Sequence, residues 1–191
     1  MSFIVSPDSL SLAHSSLFHA YTQHTLILIL SWFSSIVKRL SIWHSNLGIH
    51  GVMLLSHFLS DRWPHIEQLE ISHSAVHADS LQLLGKSVRR LSHITSLEML
   101  DCGLDDDAMA ALFSTPALQD SLALSLTPMH ATASLPSSLQ HLGLASNHLI
   151  SPTMLAAAIG RSSVVSLDLS YNPLGHAVAH NEQCEKKLEA V

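Results

Sequence analysis

The sequence predicts an α/β chain assembled from repeated strand-and-helix units, and three observations carry that prediction. An apolar template recurs along the chain. Within each copy the apolar residues alternate as in a strand. Between copies they recur at helical spacing. The clearest copies are Leu139 to Leu149, LQHLGLASNHL, and Val164 to Leu174, VVSLDLSYNPL. Both fit L-x-x-L-x-L-x-x-N-x-L, with Asn147 and Asn172 in the polar slot.

The same frame extends toward the N-terminus. Ile94, Leu97, Met99, Cys102 and Leu104 occupy the five slots. So do Ile66, Leu69, Ile71, Ser74 and Val76, and so do Val37, Leu40, Ile42, Ser45 and Leu47. A weaker copy holds Gln119, Leu122, Leu124, Thr127 and Met129. The six copies begin at positions 37, 66, 94, 119, 139 and 164. The polar slot holds Ser45, Ser74, Cys102, Thr127, Asn147 and Asn172, all small and able to bond or pack closely. A buried turn leaves N–H and C=O groups that something must satisfy, and this slot supplies it.

This pattern resembles the leucine-rich-repeat family, in its ribonuclease-inhibitor-like class, over residues 37–175. The resemblance implies a solenoid with a curved parallel sheet on the concave face and helices and irregular segments on the convex face. It also implies that the polar-slot side chains bond backbone groups of neighbouring turns.

The elements follow in order. Residues 1–36 are expected to form an N-terminal helical cap, with a degenerate first strand holding Phe3, Val5 and Leu10, then a helical stretch from about Ser9 to Val37. Residues 25–37, TLILILSWFSSIV, are shorter than the roughly 20 apolar residues that cross a membrane, and no Lys or Arg precedes Lys38. A buried core helix is the favoured reading, and membrane contact through this run the weaker one. Convex helices are expected around Val52, Leu55, Phe58 and Leu59, around Leu81, Leu84 and Val88, and around Met109, Leu112 and Phe113. Asp105 to Asp107 cap the last of these. The short unit from Gln119 contains Pro128 and Pro136 and is expected to be irregular on its convex side. Residues 176–191 are expected to be a capping helix or a frayed tail.

Composition excludes several functions. Formal charge is −6 with histidine neutral, which removes the electrostatic footprint of a nucleic-acid binder. Two cysteines make no disulfide framework, so an intracellular, cytoplasmic setting is expected. No G-x-S-x-G, phosphate loop, H-E-x-x-H or C-x-x-C occurs, so no catalytic residue, cofactor or metal is expected. His176, His180 and Cys184 have i, i+4, i+8 spacing, but they lack a fourth ligand and a firm scaffold.

In the resembled fold the residues between the template leucines face the concave side. The candidate partner-binding set is therefore Trp43, His44, Glu70, His73, Glu98, Asp101, His141, Asp168 and Tyr171. Trp43 and Tyr171 are of the aromatic type enriched at binding hot spots. The four carboxylates outnumber Arg39, so a basic protein partner is the better fit. The expected function is a non-catalytic protein-interaction module. A regulator of another enzyme, such as a small-GTPase activator, and a membrane-tethered module are the alternatives.

Overall fold

A computed structural model describes residues 2–6, 8–13, 37–45, 47–76, 78–113, 135–151, 153–160 and 162–175. The chain is α/β. Strands β1 (Ser2–Ser6), β2 (Ser9–Ala13), β3 (Arg39–Trp43), β4 (Gln68–Ser72), β5 (Ser96–Leu100), β6 (His141–Gly143) and β7 (Ser166–Asp168) form one sheet in chain order. β1 runs antiparallel to β2, and β2 to β7 are all parallel. Parallel neighbours need a crossover between them. Helices α1 (Gly48–Asp61), α2 (Ala78–Val88), α3 (Asp106–Phe113) and α4 (Thr153–Ile159) lie in the crossovers after β3, β4, β5 and β6, each packed on the next.

The register follows the template. Leu10, Leu40, Leu69, Leu97, Leu142 and Leu167 are paired neighbours across the sheet. Leu10, Leu40, Leu69, Leu97 and Leu142, with the apolar residues two positions on from Leu12 to Met99, form one core with Val52, Leu55, Phe58, Leu59, Leu81, Leu84, Val88, Met109, Leu112 and Phe113. The helices thus cover one face of the sheet. At each strand entrance one carbonyl accepts two N–H groups from the next unit: Asp8 O from Lys38 and Arg39, Lys38 O from Glu67 and Gln68, Glu67 O from Thr95 and Ser96.

Three expectations change. Ser9–Ala13 is a strand rather than the start of a helix, because Ser-Leu-Ser-Leu-Ala alternates with period two. Its slots hold Leu10 and Leu12, not Phe3 and Val5, which lie in the hairpin partner β1. Leu122–Leu124 lies outside the described residues, and β5 pairs directly with β6, so no strand stands between them. The β5–β6 crossover carries 45 residues from Cys102 to its equivalent Asn147, where the Ser45-to-Ser74 step between β3 and β4 spans 29. Finally, Leu167 is 41% exposed although Leu142 beside it is fully buried, because β7 is the last strand of the sheet among the described residues. The apolar run at 25–37 and the expected tail at 176–191, with His176, His180 and Cys184, lie outside the described residues.

Among the described residues no helix is long and apolar enough to cross a membrane.

Candidate functional site

The polar slot sits just beyond each strand and holds the frame on which the site rests. Ser45 N–H donates to Ser74 Oγ at 3.0 Å, and each of these hydroxyls donates to the carbonyl two residues before it. Asn147 Oδ1 accepts from Cys102 N–H and Leu104 N–H, both at 3.0 Å. Its Nδ2 reaches the carbonyls of Met99, Leu144 and Ala145 at 2.7, 3.0 and 3.2 Å. Asn172 repeats this one unit later, accepting from Leu149 N–H and donating to Leu144 O. The buried Cys102 thiol lies 3.1 Å from Ile71 O, and burial pushes its pKa up to about 12. It is a structural thiol and not a nucleophile.

The residue before the polar slot has a shared backbone state. His44, His73, Asp101, Ser146 and Tyr171 all have φ between 49° and 58°. Non-glycine residues seldom adopt this left-handed region, and Asn, Asp and His tolerate it best. The turn geometry therefore places five side chains in one row along the C-terminal edge of the sheet. In that row the His44 and His73 rings stack at 4.6 Å, with 7° between their planes. His73 Nδ1 lies 2.8 Å from Asp101 Oδ2. All three are exposed.

A second row lies mid-strand on the face the helices leave open. Glu70 and Glu98 are paired neighbours, followed by Gly143 and Asp168. Ser72 Oγ donates to Glu70 Oε1 at 2.9 Å. Ser72 lies two residues after Glu70 on the same face of β4 and is buried. Glu98 Oε1 lies 3.6 Å from His141 Nε2, and His141 Nδ1 lies 3.0 Å from Ser166 Oγ. Gly143 makes room for this pair: a Cβ there would stand 3.1 Å from Glu98 Cγ and 3.5 Å from His141 Nε2. Ser170 N–H donates to Asp168 Oδ1 at 2.9 Å, which holds that carboxyl below its usual range.

Of the nine sequence-predicted residues, His44, His73 and Asp101 form one contact chain, and Glu98 and His141 form a pair. Glu70 binds Ser72 of its own strand, and Asp168 binds Ser170 just beyond its strand. Trp43 and Tyr171, 42% and 87% exposed, are not in contact: β4, β5 and β6 lie between their strands. Sequence reasoning missed a hollow of about 240 Å³ on the open face, lined by Arg39, Ser41, Gln68, Glu70, Ser96 and Glu98. It also missed that Arg39 binds Asp8 at 3.2 Å. The first was unreadable because it depends on which strands neighbour, and the second because β2 was read as helix. Among the described residues no group of three His, Cys, Asp or Glu side chains is placed to hold a metal ion.

Compared with protein-family models and with curated proteins, the chain matches none of them.

Proposed function

We propose that this chain is a leucine-rich-repeat interaction module, non-catalytic and intracellular, that holds a protein partner with a basic surface on the open face of its sheet. The observation that carries the reading is the open face itself. Six parallel strands in chain order present side chains in fixed rows, with the helices confined to the other face. Neighbouring strands stand about 4.8 Å apart, whereas packed helices need about 8–10 Å. With one helix in each crossover from β3 to β7, the helix layer needs more width than the sheet, which favours bending with the strands inside. A concave, rigid, side-chain-studded surface loses little conformational freedom on binding.

The chemistry of the rows names the kind of partner. Glu70, Glu98, Asp101 and Asp168 set the sign, and Arg39 is engaged by Asp8. Trp43 and Tyr171 supply exposed aromatic anchors at separated points. Basic side chains of the partner would pair with the carboxylates, and its apolar groups would cover the rings.

The test is capture of partners by the intact chain, by Trp43→Ala with Asp168→Ala, and by Gln82→Ala on the helix face, followed by surface-based kinetics on the captured protein. Loss of the aromatic anchor is expected to weaken binding by about 2 kcal/mol, mainly through faster dissociation. Loss of the carboxylate is expected to slow association and flatten its salt dependence. Equal binding by the double variant, with loss in Gln82→Ala, would remove the open-face reading.

A further inference from the structure

We propose that the groove between α1 and α2, on the helix face, is a second binding site and takes an acidic peptide segment with neighbouring apolar side chains. The groove encloses about 330 Å³. It is independent of the sheet face and of opposite charge.

Its walls combine three features. Met53 from α1 and Leu83 from α2 are 47% and 43% exposed, so the packed helix pair leaves an apolar seam facing outward. Methionine adapts to varied apolar shapes. Lys86 in the last turn of α2 and Arg90 just beyond it bring two positive charges to the same groove. Among the described residues the one carboxylate on its lining is Asp61, which lies 3.0 Å from His57 Nδ1. Neither Lys86 nor Arg90 makes an ion pair among the described residues.

The third feature is an unmet hydrogen-bonding group. Ser60 Oγ donates to Ser87 Oγ at 2.9 Å, and Ser87 Oγ donates to Leu83 O at 3.1 Å, so these hydroxyls are satisfied within the wall. Ser56, also on the lining, is 94% buried, and its hydroxyl has no partner. The oxygen is closed off from solvent, so the wall must open slightly before a ligand group can meet it, and a buried hydroxyl left unmatched is costly enough to favour that. The helix dipole explains a lysine at the end of α2. It explains neither the exposed apolar pair nor the unmatched Ser56.

Charge and apolarity together select the occupant. A carboxylate side chain complements Lys86 and Arg90, and an apolar neighbour covers Met53 and Leu83. The molecule as a whole carries −6, which opposes the approach of an extended polyanion such as nucleic acid. A short segment mixing carboxylates with apolar residues meets the groove at close range without that penalty.

The experiment titrates the isotope-labelled full chain with a short peptide alternating leucine with glutamate, and with its twin alternating leucine with glutamine. The expected result is movement of the Met53 methyl signal and of the Leu83, Lys86 and Ser87 amides. The glutamate peptide should bind at least about tenfold tighter than its twin. Lys86→Glu with Arg90→Glu should remove that advantage, and Trp43→Ala with Asp168→Ala should leave it intact, which separates this site from the sheet face. Arg90→Gln alone should lose part of the affinity, and it serves if the double reversal fails to fold. Equal binding of the two peptides would overturn the proposal. So would indifference to both groove variants. Inorganic phosphate or phosphatidylserine vesicles that move the same signals while the glutamate peptide does not would assign the groove to small anions or to lipid, and would also overturn it.

Discussion

Asn147 joins two turns of the chain through five hydrogen bonds from one nearly inaccessible side chain. Replacing it with alanine would leave Cys102 N–H and Leu104 N–H unmatched in a dry interior. Asn147→Ala is expected to cost at least about 2 kcal/mol by chemical denaturation, and Asn172→Ala about 1 kcal/mol, because Asn172 is only partly buried and water can replace its bonds. Cys102 fills the same slot with a thiol whose pKa is pushed from an ordinary 9.0 to about 12. The folded state therefore holds that proton more tightly than the unfolded chain. Its contribution to stability is constant below pH 9 and is lost as pH rises from 9 toward 12. Iodoacetamide at pH 8 is expected to spare Cys102 in the folded protein and to label it in denaturant, as read from peptide masses. At this scale the polar slot was legible from residue type alone. The His44–His73 stack and the Glu98–His141 approach were not, because both depend on side chains from neighbouring strands that the order of residues does not place side by side.

Among the elements, the central strands behave as their pattern predicts and the flanking ones do not. The leucines of β3 to β6 read as core because each recurs in register beside an equivalent. β2 stayed hidden because position 7, where the first slot falls, holds proline and not an apolar partner for Leu10 and Leu12. The Gln119 copy was read as a strand because Leu122 and Leu124 satisfy the alternation, but β5 and β6 leave no place between them. Position in the sheet also decides energetics. Leu142→Ala is expected to cost about 2–5 kcal/mol, and Leu167→Ala roughly half as much, since the second side chain is 41% exposed and keeps much of its contact with water. Paired thermal melts would check the ratio. Helix packing makes a similar point at Gly85, where an added Cβ would overlap the Leu112 carbonyl oxygen that Arg89 binds at 2.8 Å. A mid-helix glycine ordinarily gains up to about 1 kcal/mol on becoming alanine. Gly85→Ala is instead expected to lower the denaturation midpoint, because α2 and α3 would have to separate.

For the whole molecule, charge is unevenly shared between its two layers: the open sheet face is acidic, and the α1–α2 groove is basic. Net charge is −6 with histidine neutral and becomes +9 when all fifteen histidines are protonated. Free imidazole titrates near about 6.5, so the chain is expected to pass through zero charge between roughly pH 7 and 5.5. Solubility should dip within that window, because little net charge then keeps molecules apart. A flat solubility curve from about pH 7.5 to 5 would contradict this. Fifteen histidines and sparse lysine and arginine made this behaviour legible without any structure.

The left-handed row at His44, His73, Asp101, Ser146 and Tyr171 also bears on how this surface can vary over evolutionary time. Every position in it shares one backbone requirement, and β-branched side chains meet that requirement worst. Valine, isoleucine and threonine are therefore disfavoured at these five sites, whatever a partner would prefer. The alphabet available there is short: glycine, asparagine, aspartate, histidine and a few others. New specificity would arise more readily mid-strand, at positions such as Glu70 and Glu98, where the backbone is extended and admits any side chain. The edge row would act as the conservative part of the surface, and the strand centres as the part free to diversify.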